Sequence, residues 1–358
     1  MLTDTAPSTG IEYCGIGWRM VHPLLVSQLY RYQGDRRLLE EQYATAKRWL
    51  LLEAAKYPEG IVKDGLGDHE SLVPAPSPPL VTPLFYQSVT IMAEMARTLG
   101  RSNDAKTFDE LADKIRSAYQ KSLLDPQTGV VGPGSQACQA LALYTGMVSA
   151  TVRPLALDRL LADIRDQHHG HLSTGILGTK VVLDTLSNNG HAAVAYDIAN
   201  QADFPGWGWM LENGATTLWE HWAGSDNTFS NNHPMFGSVS QWFFNFLGGI
   251  RPAADAVGFD KILIAPQPVG DLQWVKASYQ SARGTVVCEW KKSAGLLELR
   301  VTVPVGATAT VWVPAMDAAG VTEGGKPTAQ AEGVKFLRQE TSAAVYSVGG
   351  GSYVFVSR

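Results

Sequence analysis

The chain has 358 residues, a formal net charge of −5, 45% hydrophobic residues and a mean hydropathy of −0.06, which describes a soluble globular protein of one large or two ordinary domains. Mild acidity without a basic stretch argues against a nucleic-acid partner, and no apolar run reaches the ~18 residues needed to cross a membrane. The opening MLTDTAPSTG has neither the basic nor the apolar part of an export signal, so the chain as written is expected in the cytoplasm, with export of a longer form left open.

The first two thirds read as helical hairpins. Residues 18–33 have helical spacing, Gly34 and Asp35 turn the chain, and 36–55 run back. A helix over 82–99 turns at GRSND and returns through 105–124; another over 135–147 returns through 156–168. Residues 174–186 and 191–201 meet at NNG, and 237–249 supply a last single helix, nine in all, paired at unequal lengths without the strict period of a solenoid. Between the first two hairpins, KDGLGDHESLVPAPSPPLVTP is too rich in glycine and proline for a regular element, and it places Asp68, His69 and Glu70 together. The tract His168, His169 and His171 has no carboxylate or cysteine at ligand spacing and reads as solvated loop. Cys14, Cys138 and Cys288, odd in number and without CxxC spacing, read as free, mostly buried thiols.

From about Pro252 the texture changes. DKILIAPQP, LQWVKASYQS, GTVVCEWKK, LLELRVTVP, ATVWVP and YVFVSR are short alternating or β-branched runs between turn clusters, the pattern of an antiparallel β-sandwich.

The densest chemistry lies at 213–251. Trp219, Glu220, His221 and Trp222 put a carboxylate between two indoles, and His233 follows in an Asn/Ser-rich loop. Indole faces stack on the C–H faces of a pyranose, and a carboxylate flanked by apolar rings can move a proton near neutral pH. The same composition also describes a tryptophan-rich core segment with Glu220 at its rim.

GATTLWEHW, NNHPMFGSVSQWFF, GIRP and IAPQPVGDL, in that order, resemble the C-terminal part of the inverting α-L-rhamnosidases, whose catalytic domain is an (α/α)6 barrel followed by a β-sandwich. The resemblance implies that Glu220 is the general base and that His233 contacts the bound sugar. It makes Trp18, which opens a segment ending in Gly-Asp, a pocket candidate. Asp68 and His69 fall where that family often reads Gly-Asp-Trp, with His69 in place of the tryptophan. Trp219 and Trp222 would support or flank the sugar. The expected fold is therefore mainly α with a C-terminal β domain: an incomplete (α/α)6 barrel over 1–251 and a β-sandwich over 252–358, the latter structural.

The resemblance spans the whole chain but only the C-terminal portion of the family's length. Nine helices are about three short of a twelve-helix toroid, and an open ring would expose apolar helix faces. A fragment, a truncated gene, and a chain that pairs with a second one to close the ring all stay open. The family's general acid lies in an upstream Asp-Cys-Pro motif that does not occur here, so Glu70 and Glu212 are the candidate second carboxylates. The implied ligand is a rhamnose-containing glycan or glycoside, with no metal or organic cofactor and no membrane partner. The rival reading is a carbohydrate-binding remnant without catalysis; a lyase of another (α/α) barrel is less well supported, because Arg and Lys are scarce near Glu220.

Overall fold

Helical spacing of apolar residues becomes paired helices in the computed structural model, which describes residues 2–5, 10, 12–224 and 230–358. α1 (Ile16–Arg19) and α2 (Val21–Gln33) precede α3 (Arg36–Lys56); α4 (Ser77–Thr98) pairs with α5 (Ser102–Ser122), α6 (Gln136–Thr145) with α7 (Arg153–Ala162), and α8 (Ile176–Asn188) with α9 (Ala192–Ala199). Two short helices follow, α10 (Trp207–Glu212) and α11 (Ser238–Trp242). The helix expected over 18–33 starts earlier and breaks at Met20, and α10 has no counterpart in the sequence reading because its six residues are too few to show a period. The chain divides into two compact units, Met1–Ser27 with Arg37–Val239 and Gln28–Arg36 with Ser240–Arg358.

The proline segment corrects an expectation. Residues 77–83, read as irregular, form the first two turns of α4. Pro78 and Pro79 stand in the first turn, where a backbone N–H has no intrahelical acceptor to lose. Pro83 lies inside the helix and cannot donate to the Pro79 carbonyl; the Tyr119 hydroxyl of α5, fully buried, donates to that oxygen instead at 2.9 Å. A tertiary donor thus replaces the missing helical one.

In the same unit, Gln139 of α6 is wholly buried with its amide satisfied. Its oxygen accepts from Val131 N at 2.6 Å, and its nitrogen donates to Gly129 O and Ala156 O at 2.9 and 3.0 Å. This ties the turn after α5 to α7 without leaving a polar group unpaired.

The second unit is a two-sheet β structure. Its strands are β1 (Ile250–Pro252), β2 (Lys261–Ile264), β3 (Trp274–Ser281), β4 (Gly284–Ser293), β5 (Leu296–Val303), β6 (Thr308–Pro314), β7 (Thr322–Glu323), β8 (Lys326–Pro327), β9 (Val334–Gln339), β10 (Ala343–Val348) and β11 (Gly351–Ser357). One sheet has the order β1-β2-β6-β10-β9 and the other β3-β4-β5-β11-β7-β8. The six expected strands are β2 to β6 and β11. Every pairing is antiparallel except β2 with β6, which runs parallel because the chain leaves this sheet after β2 to build β3, β4 and β5 in the other one and returns in the same direction. Alternate residues of β4 (Val286, Cys288, Trp290) point into the core with Val311, Tyr346 and Phe355, and the Trp290 indole N–H donates to Leu247 O at 2.8 Å. All three cysteines are free and buried, as expected. No helix is long and apolar enough to cross a membrane among the described residues.

Tyr119→Phe removes the donor to Pro79 and leaves a buried carbonyl without a partner. We expect a loss of about 1–3 kcal/mol in unfolding free energy by denaturant titration. A loss below about 0.5 kcal/mol would mean that the carbonyl finds another donor.

Candidate functional site

Asp68 is 2% exposed, and its carboxylate is wrapped in backbone amides: Oδ1 accepts from Leu177 and Gly178 N–H, both at 2.9 Å, and Oδ2 from Gly175 N–H at 2.8 Å. These are orphan donors of the first turn of α8, so a residue from a distant loop does the work of an N-cap. Burial pushes the Asp68 carboxyl up to about 6, against the opposite pull of those three N–H groups. Its loop lies directly on the helix start. Ile176 N–H donates to His69 O at 2.9 Å and Leu72 N–H to Ser173 O at 3.0 Å. A Cβ on Gly175 would sit 1.8 Å from His69 O, so only glycine permits this approach.

A third segment joins at the same place. The Trp222 indole N–H donates to Thr174 O at 2.8 Å; its ring is fully buried, stacked on Phe236 at 4.0 Å and met edge-on by Trp207 at 5.4 Å. Trp222 is thus the anchor of the 217–223 segment, with no face to offer a ligand. Beyond it, Glu220 N–H donates to Ser230 O at 2.9 Å, Ser230 N–H to Glu220 Oε2 at 2.8 Å, and His233 N–H to Leu218 O at 2.8 Å. The Thr217 hydroxyl donates to Asn231 O. Residues 217–220 and 230–233 therefore run side by side, which brings Glu220 and His233 onto one short ladder. The middle of the Asn/Ser-rich loop, 225–229, lies outside the described residues.

The two loops meet through polar side chains. Glu70, whose side chain is 9% exposed, has His69 Nε2 at 3.2 Å from Oε1 and His221 Nε2 at 3.7 Å from Oε2. Trp18, half-buried, meets the His69 ring edge-on at 6.2 Å. Next to Trp18 in sequence, the Arg19 guanidinium is buried between Asp4 (2.6 Å) and Glu53 (3.2 Å), and Asp4 also accepts from Cys14 N–H at 2.8 Å, so α1 is pinned by a paired, desolvated cation.

Of the residues singled out in the sequence, Trp18, His69 and Glu70 are thus joined to the loop of Glu220, and Glu220 to the segment of His233. Asp68 and Trp222 are interior supports. Trp219 is half-buried, its ring edge packed on Gly224, and Glu212 is exposed at the end of α10. The histidine tract is less solvated than expected: His171 Nε2 lies 2.8 Å from Asp203 and His168 Nε2 3.5 Å from Asp163. No cluster of metal-ligating type occurs among the described residues. Sequence reasoning named His221 without giving it a role and missed Arg19 and the Thr174–Gly178 turn; the glycines of TGILGT were the available signal for the last.

Residues 1–247 match the family model described as the bacterial alpha-L-rhamnosidase 6 hairpin glycosidase domain, and 249–327 the bacterial alpha-L-rhamnosidase C-terminal domain. A curated alpha-L-rhamnosidase of Streptomyces avermitilis is 34% identical over 368 aligned residues, covering 99% of this chain and 34% of its own. The crystal structure of Streptomyces avermitilis alpha-L-rhamnosidase complexed with L-rhamnose superposes with a TM-score of 0.88 at 32% identity, over 96% of this chain and 33% of that one. The alpha-L-rhamnosidase from Dictyoglumus thermophilum gives 0.87 at 34% identity, over 95% and 39%. The chain spans about a third of the length of the curated relatives it matches.

Because the folded-state pKa of Asp68 lies above its ordinary 3.8, the folded protein holds that proton more tightly than the unfolded chain. The resulting stability is fully present below about pH 4 and fades as the pH rises through about 6. We expect the unfolding free energy of the wild type to fall relative to that of Asp68→Asn, which cannot titrate, between those limits; a difference independent of pH would show an ordinary carboxyl. Gly175→Ala should cost at least about 2 kcal/mol by denaturant titration, since His69 O must move to admit the methyl group.

Proposed function

The chain belongs to the bacterial α-L-rhamnosidase family, and on that premise we propose that it acts in a glycoside hydrolase that removes terminal α-L-rhamnosyl groups from glycans or glycosides with inversion at the anomeric carbon. The observation that carries the reading is the convergence of Glu220 and His233 on one ladder, whose neighbour His221 reaches Glu70 beside His69 and Trp18. A carboxylate oriented by a backbone amide, Ser230 N–H on Glu220, in a segment joined to aromatic side chains suits a sugar-hydrolysing site.

In this reading Glu220 is the general base. Its Oε2 is engaged by Ser230 N–H, and Oε1, which accepts no hydrogen bond among the described residues, takes a proton from water as that water attacks the anomeric carbon. The bond to the leaving oxygen breaks as the new C–O bond forms, and a second carboxyl, on the order of 6.5–9.5 Å away, protonates the departing oxygen. Trp18, His69, His233 and Trp219 line the sugar subsite, and Asp68 and Trp222 brace it from within. Of the two candidate second carboxylates, Glu70 adjoins the Glu220 loop and Glu212 is exposed at the end of α10. We assign this work to residues 1–251 and a structural role to 252–358. Acid–base chemistry alone carries the step, without an organic cofactor.

Release of nitrophenol from an aryl α-L-rhamnoside tests the reading. Glu220→Gln should lower kcat by about 10²–10⁴-fold with sugar affinity retained, and the first-formed free sugar should be the β-anomer by NMR. Rhamnose binding without turnover in the wild type would instead favour a fragment of the enzyme or a binding module, and a first-formed α-anomer would overturn inversion.

A further inference from the structure

Glu70 is unusual in three ways that its position in the sequence does not explain. Its backbone φ is 62°, in the left-handed region that a glutamate rarely occupies. Its side chain is 9% exposed although it carries a carboxylate. Both of its oxygens face a histidine nitrogen, one at 3.2 Å on the preceding residue of its own loop and one at 3.7 Å on the residue that follows Glu220.

The histidine on the far side is itself oriented. His221 Nδ1 accepts the Ala223 N–H at 3.2 Å, so the proton on a neutral ring is carried by Nε2, the atom that faces Glu70. His69 Nε2 faces the other oxygen, and its ring is the surface against which Trp18 rests. The backbone on either side is fixed by other groups: Asp68 by three amides of the α8 turn, and Trp222 by Thr174 and Phe236. Between those two anchors the carboxylate of Glu70 spans from one loop to the other.

We propose that Glu70 is a positioning residue that couples the proposed sugar-stacking wall of Trp18 and His69 to the loop of Glu220, by holding His69 and His221 on its two carboxylate oxygens at once. It is not the proton donor, because a donor must present an oxygen to the leaving group and both oxygens of Glu70 face histidines. The left-handed backbone follows from the same requirement: it turns the Glu70 side chain toward His221 while the preceding carbonyl, His69 O, stays on Ile176 N–H. The proposal rests on the glycosidase reading for its kinetic consequence, and its structural consequence stands independently.

Two measurements on the full chain test it with Glu70→Gln, which keeps the shape but offers one acceptor oxygen in place of two. In ring 15N–1H spectra the chain has eight histidines to follow; the signals of His69 and His221 should move together in the variant while those of His22 and His191 stay in place. In kinetics, kcat/KM for rhamnosides should fall on the order of 10²-fold, as expected for a misplaced reacting group, by the same factor for aryl leaving groups of low and high pKa and with a raised KM. A fall confined to the poor leaving group, restored by an activated one, would make Glu70 the proton donor and overturn the proposal. Unmoved His69 and His221 signals would overturn it too. Absence of turnover in the wild type bears on the glycosidase reading alone, and the joint movement of the two histidine signals still decides whether Glu70 couples the loops.

Discussion

The site depends on one buried carboxylate. Asp68 gives both oxygens to the first turn of α8, and in doing so it fixes a loop that has no regular structure of its own. Helix starts leave backbone donors unpaired, and most helices satisfy them with a side chain just ahead in the chain. Here Gly175 precedes the helix and has no side chain to offer. The missing cap creates a demand that only a residue from elsewhere can meet, and meeting it places His69 and Glu70 at a defined spot.

Trp222 makes the complementary contribution from the other loop. Its indole is committed to Thr174 O and to Phe236, in the interior of the same unit, so the backbone of Glu220 and His221 starts from a fixed point only one or two residues away. Cap and anchor converge on the turn from Thr174 to Gly178. Polar functional groups on loops can be placed accurately when each loop is nailed to a rigid element within a few residues of the group that matters. The same logic underlies Trp18, which lies in α1 beside Arg19, the cation of the buried Asp4–Arg19–Glu53 network.

A recurring device in this chain is the long-range substitution of a hydrogen bond that the local sequence cannot make. Tyr119 supplies the donor that Pro83 lacks, Asp68 the acceptor that Gly175 lacks, and the Gln139 amide satisfies backbone groups of the turn after α5 and of α7. Each such replacement costs little in the folded state because the partner is already buried, yet leaves an unsatisfied group if it is removed.

The sequence by itself determined the paired helices, six of the strands and the two residues on which the functional reading turns, Glu220 and His233, because periodicity and the spelling of linked motifs are local properties of the chain. It also placed Trp18, His69 and Glu70 among the candidates. It could not tell Trp222 from Trp219, since both indoles flank the same acid in sequence and only packing against Phe236 and Thr174 sends one of them inward. Asp68 looked like a sugar ligand for the same reason: its partners, the amides of α8, are more than a hundred residues away. Strands β9 and β10 and the helical prolines of α4 escaped notice because an exposed edge, a run of small buried residues and a proline-rich start do not announce a regular element until a neighbour pairs with them. What the tertiary structure decided was which polar groups are committed to holding the backbone in place, because that depends on partners distant in sequence.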